Sequence, residues 1–320
     1  MINKNYLYLF FYKNTLYYNQ NIFLEGDKKM QDFRMETFLT VCEELNYTRA
    51  AHKLGLTQPA VSQHIHFLEE SYGTHLFTIQ GRKLYLTEAG KLLHASAQTM
   101  KNDESHLRRR LRNAQQPKKE YHFGATLTVA EYILPEKITK ILSDDKGCRM
   151  KITVQNTREL LRQIDTGVID FAVVEGSFPK EEYDFLPYSK EPYIAVCAAD
   201  FPLPKCPCVL EDLLPYTLIT REKGSGSRDI LESILAQQNL RLADFARVVE
   251  YGSIGAIKRL TASGCGITFL YKKAAEHELR SRKLKEIKLQ EFHLLHGLNF
   301  VFRKDTIFRE EYAQLYSLLK

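Results

Sequence analysis

The chain is 320 residues long, 44% hydrophobic and 26% charged, with 45 Lys and Arg against 39 Asp and Glu and a formal net charge of +6. That length accommodates two to three domains. A mean hydropathy of −0.33 and the lack of any apolar run near the ~18 residues a spanning helix needs exclude a transmembrane protein.

The six cysteines, at 42, 148, 197, 206, 208 and 265, have no paired CxxC spacing. This favours reduced thiols in a cytoplasmic protein over a disulfide framework or a zinc site, and Cys206-Pro207-Cys208 is read as an accidental pair. Residues 1–29 hold 8 of the 36 Tyr and Phe, and 23 of these 29 are Phe, Tyr, Asn, Lys, Ile or Leu, types with AT-rich codons. Back-translation of Glu25-Gly26-Asp27-Lys28-Lys29-Met30 contains a ribosome-binding site at working distance from an ATG. The natural start is therefore expected at Met30, with residues 1–29 a non-native or disordered extension. A signal peptide is the weaker alternative, because the apolar run Tyr6 to Tyr12 is short and lacks a small-residue cleavage site.

From Met30 the apolar period becomes helical. Met35, Phe38, Leu39, Cys42 and Leu45 form one inward stripe. Thr48 is expected to cap a short helix, Arg49 to Leu54, ended by Gly55; Thr57 caps the next, which has Pro59 in its first turn and runs to about Glu70. Two short helices around a glycine turn make a helix-turn-helix. On the second helix Val61, Ile65 and Leu68 point inward, while Gln58, Pro59, Ser62, Gln63 and His66 form a polar, uncharged face suited to reading base edges in a major groove. Thr57 is placed to hold phosphate, and Thr48 and Arg49 are taken with it as DNA-binding residues. A plain helical hairpin with a solvated face is the competing reading. The following hairpin, with Arg82 and Lys83 at its tip, reads as a wing that meets phosphates or a minor groove. After it Thr87 caps a long helix whose seam positions 93, 97, 100, 104, 107 and 111 repeat in steps of four and three, interrupted at Glu104, as in a coiled coil. A homodimer through this helix follows; the alternative is that the stripe packs on its own domain.

The strings Thr48-Arg49-Ala50-Ala51-His52-Lys53-Leu54, Thr57-Gln58-Pro59-Ala60-Val61-Ser62-Gln63-His64-Ile65, Leu76-Phe77, Gly81-Arg82 and Leu86-Thr87-Glu88-Ala89-Gly90 resemble the DNA-binding half of LysR-type transcriptional regulators, ungapped from Phe38 to Gly90. Ile79 and Gln63 stand where members of that family often carry basic residues. Residues 30–120 hold 13 Lys and Arg against 10 Asp and Glu, so affinity is expected to depend on dimerisation more than on bulk charge.

Beyond the polar break Gln115 to Lys119, strand and helix alternate, which predicts an α/β domain with a largely parallel sheet and two halves flanking a cleft. Three expected strand ends run into helix starts rich in hydroxyls or glycine: Thr126-Leu127-Thr128, Gly224-Ser225-Gly226-Ser227 and Gly252-Ser253. Backbone N–H groups and hydroxyls there suit a small anion, with charge added by Arg228 or, as the second choice, Lys223. Glu175 and Gly176, at another strand end, are read as shaping the cleft or binding a ligand amine. The strings Ala130 to Pro135, Asp170 to Gly176, Arg221 to Arg228 and Ala256 to Arg259 are similar to the effector half of LysR-type regulators, closest to a CysL-like subgroup. That resemblance implies a fold like type 2 periplasmic binding proteins and an inorganic or small organic anion as effector.

The expected organisation is a winged helix-turn-helix over 30–87, a linker and dimerisation helix over 88–119, one effector subdomain over 120–189 and 304–320, and a second over 190–303. The expected function is a cytoplasmic, non-enzymatic transcriptional regulator without cofactor or metal. Its expected partners are double-stranded DNA, a small-molecule effector, RNA polymerase and its own copies, as a dimer or tetramer. The effector-site residues are taken as Thr126, Leu127, Thr128, Ser225, Gly226, Ser227, Arg228 and Ser253. A solute-binding protein for transport would explain the second half but not the helix-turn-helix. An enzyme finds no HxxxH or Ser-His-Asp arrangement among the ten histidines.

Overall fold

A computed structural model describes residues 32–113, 120–144, 149–203, 207–290 and 294–320. The expectations placed on residues 1–29 and Met30, on the break at 115–119 and on Cys148, Cys206 and His293 lie outside the described residues. The chain divides into two compact units, one up to Ala97 and one from Gln98 onward.

In the first unit α1 (Phe33–Glu44), α2 (Tyr47–Leu54) and α3 (Gln58–Tyr72) enclose a core of Phe38, Leu39, Val41, Ala50, Ala51, Val61, Ile65 and Leu68. Two details differ from the sequence reading. Asn46, not Thr48, caps α2: its side chain accepts from the Arg49 amide at 2.9 Å, so the helix starts earlier, at Tyr47. Leu45 leaves the apolar stripe because it ends α1 in the left-handed region at φ 44°, and it is exposed. Thr57 does cap α3, accepting from the Ala60 amide at 3.3 Å. The wing is a hairpin of β1 (Phe77–Gln80) and β2 (Lys83–Leu86), in which Gln80 pairs with Lys83. α4 (Glu88–Asn113) begins here, its Gly90 amide bonded to Thr87 Oγ1 at 3.0 Å, and Leu93 and Ala97 pack on the core of this unit.

In the second unit α4 buries a polar face. Gln98, Thr99, Asn102, Asp103 and His106 are all buried. Asn102 Nδ2 donates to the carbonyls of Ile164 (2.7 Å) and Ile169 (3.2 Å), and Thr99 Oγ1 donates to Lys304 O at 2.9 Å. Asp103 accepts from Thr306 Oγ1 and the Ile307 amide. Of the predicted seam positions here, Met100 and Leu111 are exposed, Leu107 leans on the main core of this unit, and Glu104 is tied to Arg108.

The main elements that follow are β3 (Glu120–Ala125), α5 (Leu127–Tyr132), α6 (Leu134–Asp144), β4 (Arg149–Val154), α7 (Thr157–Asp165), β5 (Phe171–Val174), β6 (Tyr183–Ala198), β7 (Thr217–Thr220), α8 (Gly226–Gln237), β8 (Arg247–Glu250), α9 (Ile254–Ala262), β9 (Thr268–Tyr271), α10 (Lys272–Arg280), β10 (Leu284–Glu286), β11 (Leu294–Arg303) and α11 (Arg309–Leu319). Seven strands form one sheet in the order β10-β6-β11-β5-β3-β4, with β9 also on β6; β7 and β8 form a separate parallel pair. The large sheet is mixed, not largely parallel. β3 runs parallel to β4 and β5, but β11 is antiparallel to β5 and β6, because it returns along the sheet after the second half is built. β6 and β11 stay paired from Tyr193 opposite Leu294 to Tyr183 opposite Arg303, broken only by a register shift at Leu298/Asn299. Both passages between the halves are thus strand. The core centres on Phe123, Phe171 and Phe300, stacked at 5.0 and 4.3 Å between ring centroids.

Candidate functional site

The first candidate surface is the outer face of α3. Gly55, at φ 66°, turns the chain out of α2, and the Thr57 cap starts α3 after it. Because Val61, Ile65 and Leu68 are anchored in the core, Gln58, Pro59, Ser62, Gln63 and His66 are held outward and exposed. Thr48, Arg49, Thr57, Arg82 and Lys83 are exposed as well. Arg49 is drawn to Glu44, and His66 lies 3.2 Å from Glu70, so both have a partner before any ligand arrives. His64 is not on this face: it is half-buried, 2.9 Å from Thr37 Oγ1 and edge-on to Phe33. Burial, with repulsion from Arg34, lowers its basicity. An outward row of amides and hydroxyls with two cations on an adjacent hairpin can contact base edges and phosphates together.

The second candidate lies where the ends of β3, β5 and β7 meet. Thr126, Thr128, Glu175, Arg221, Ser225 and Ser227 are all buried there. Thr128 Oγ1 donates to Glu175 Oε1 at 3.3 Å, and Thr157 Oγ1 donates to Glu175 O at 2.7 Å. Ser225 and Ser227 pair through their hydroxyls at 3.0 Å, and Tyr193 donates to Ser227 O at 2.8 Å. Arg221 meets Glu222 through Nε and Nη2 at 2.8 and 2.9 Å. The two sides approach closely because both are glycine where they touch: a Cβ on Gly226 would lie 2.3 Å from Glu175 O, and one on Gly176 would lie 2.6 Å from Gly226 Cα. Burial pushes the Glu175 carboxyl up to about 7, against the attraction of Arg221 and the Thr128 hydrogen bond.

Of the residues expected to form this site, Thr126, Thr128, Ser225, Gly226 and Ser227 come together. Leu127 is half-buried and packs beside Ile194, Val196 and Leu270. Arg228 commits its guanidinium to Glu232, at 2.7 Å, and to Glu250. Ser253 is exposed and caps α9 by accepting from the Ala256 amide at 3.3 Å. The cation within the cluster is Arg221, which sequence reasoning passed over. Its signal was its place directly after the apolar strand β7, the same kind of strand end that drew attention to Glu175.

Residues 33–91 of the chain match the family described as bacterial regulatory helix-turn-helix protein, lysR family, and residues 114–319 match LysR substrate binding domain. It is similar to the HTH-type transcriptional regulator CysL of Bacillus subtilis, 26% identical over 83% of this chain and 89% of that protein. It is likewise similar to YbhD of Escherichia coli, an uncharacterized HTH-type transcriptional regulator, at 30% identity over 89% of each. Among solved structures, full-length LysG of Corynebacterium glutamicum with bound effector Arg aligns with a TM-score of 0.57 at 14% identity, covering 91% of this chain and 98% of that one.

Proposed function

The chain belongs to the LysR family of DNA-binding transcriptional regulators, and from that premise we propose that a small anionic metabolite, held at the cluster of Thr126, Thr128, Arg221, Ser225 and Ser227, controls how it grips and bends DNA. The observation that carries this reading is the convergence of buried hydroxyls and a guanidinium at the ends of three strands, with α8 starting beside them. Family members combine a DNA-binding domain with an effector-binding one, and the transport alternative leaves α2 and α3 without a role. Ligand would favour one closure of the two halves, a population shift passed to the DNA through the spacing of the readers.

Base edges would be read by Gln58, Pro59, Ser62, Gln63 and His66, and phosphates held by Thr48, Arg49, Thr57, Arg82 and Lys83. LysR regulators form oligomers; here we assign the dimer contact to the exposed Met100 and Leu111 of α4, with pairing into a tetramer and contact with RNA polymerase in the cytoplasm. No helix among the described residues is long and apolar enough to cross a membrane, and the assigned role involves no catalytic step. A gel-shift titration on DNA upstream of its own gene, at two salt concentrations and with candidate anions, tests the reading. A sequence-specific complex whose mobility or affinity changes with an anion is expected; an unchanged complex across all anions would remove the anion from the mechanism.

A further inference from the structure

The cluster holds charges of both signs. Three of its buried polar atoms have no hydrogen-bond partner among the described residues: Thr126 Oγ1, Arg221 Nη1 and Glu175 Oε2. Thr126 caps α5 in position but makes no side-chain cap bond, which leaves its hydroxyl free to donate or accept. Arg221 has spent Nε and Nη2 on Glu222 and retains Nη1 as a donor. Glu175 Oε1 is held by Thr128, and the Ser227 amide also favours the charge of this carboxyl, while Oε2 keeps no hydrogen-bond partner. A buried polar atom left unpaired is costly, so an occupant is selected by how many of these atoms it completes. Arg221 and Thr126 ask for an acceptor. Oε2 of an ionised Glu175 asks for a donor, and it repels an anion that presents lone pairs alone.

Resting on the proposed effector cleft, we propose that Glu175 makes the site selective for small anions that carry an O–H or N–H of their own, and rejects anions that can only accept hydrogen bonds. One pole of the ligand meets Arg221 Nη1 and Thr126 Oγ1; its donor meets Glu175 Oε2. The charged and titratable groups that act on the Glu175 carboxyl are Arg221 and Glu222 from the end of β7, with Tyr193 on β6 and Tyr271 on β9 near enough to feel its charge, and Thr128 is hydrogen-bonded to it. Both tyrosines stay neutral, since burial and the nearby carboxylate push their ionisation upward.

The test uses matched pairs of anions on the full-length protein, at about pH 8.5, where Glu175, held near 7, is ionised and cannot itself supply the donor. Inorganic phosphate retains a P–O–H at that pH and is compared with sulfate, which has none; glycolate is compared with acetate. Affinity is read by calorimetry and by thermal shift. In the pair that fits the site, the donor-bearing anion should bind at least about tenfold more tightly than its partner, the size of one hydrogen bond to a charged group. Whether the phosphate or the glycolate pair shows the effect tells an inorganic effector from an organic one. Glu175→Gln offers an N–H in place of Oε2, so the acceptor-only anion should gain and the ratio should fall to about one or below. Equal binding within both pairs by the unaltered protein would overturn the selectivity while leaving an anion cleft in place. Binding of none of the four would overturn the cleft reading and this inference with it. A ratio that survives in a folded Glu175→Gln protein would overturn the role of Glu175.

Discussion

Two buried titratable residues make stability depend on pH in separate windows. His106 lies 2.9 Å from Asp170 Oδ1 and 3.4 Å from Glu311 Oε1, with its ring 4.3 Å from that of Phe308. Burial opposes its charge, but the two carboxylates outweigh burial and raise the imidazole to about 9. A base raised in this way gives its full stabilisation below the ordinary imidazole value and loses it as pH rises towards 9. The melting temperature should therefore fall by several degrees between about pH 6.5 and 9.5, and a calorimetric pH series on His106→Gln should lose that slope. Glu175 acts in a lower window. Its carboxyl is raised, so the folded chain is favoured while it is protonated and destabilised as pH climbs through about 7. Without ligand, Glu175→Gln should melt a few degrees above the unaltered protein at pH 8 and no higher at pH 5; a lower melting point at pH 8 would contradict the cost assigned to the buried charge. The two residues differ in legibility. Glu175 could be singled out from its place at a strand end, whereas His106 could not, because its carboxylates come from positions far along the chain.

α4 shows what an apolar periodicity can and cannot convey. The seam at 93, 97, 100, 104, 107 and 111 predicts a helix, and the helix is there. The periodicity did not reveal that the second half buries an adjacent polar face, since Gln98, Thr99, Asn102 and Asp103 look like solvated residues until their partners are known. Asn102→Ala would remove the side-chain donor shared by the carbonyls of Ile164, which keeps the Gly167 amide, and Ile169, and should destabilise the second unit by about 2 kcal/mol, measured by urea unfolding. Met100→Glu with Leu111→Glu should leave that stability unchanged and weaken self-association, as read by sedimentation; unaltered association would move the dimer contact off this face. The short caps follow the same lesson. Thr57 was readable because Pro59 marks the first turn of its helix, whereas Asn46 was hidden behind an equally good hydroxyl two residues on. In the second unit the alternation of strand and helix could be read, but the direction of β11 could not, because pairing partners are set by topology and not by a segment's own composition.

At the scale of the molecule the two kinds of DNA contact should separate in experiment. Arg82→Ala and Lys83→Ala should each reduce the salt dependence of binding by about one unit of log–log slope while leaving site preference intact. Gln58→Ala and Ser62→Ala should cost about 1–3 kcal/mol on the preferred site and little on random DNA, and equal losses on both would rule out base reading. The two units also differ in when they can be completed during synthesis. The first closes its core with residues up to Ala97. In the second, β5 and β6 both pair with β11, so the sheet that starts at Glu120 waits for Leu294–Arg303 before it is whole. Translation proceeds at roughly 5–20 residues per second, so on a single ribosome the reader has many seconds in which to fold before the sensor's last central strand is made. Each new copy passes through a stage with a finished DNA-binding head and an open sheet edge. A message stalled before the codon for Leu294 would release a chain that still carries the reading face, with a sensor unable to close.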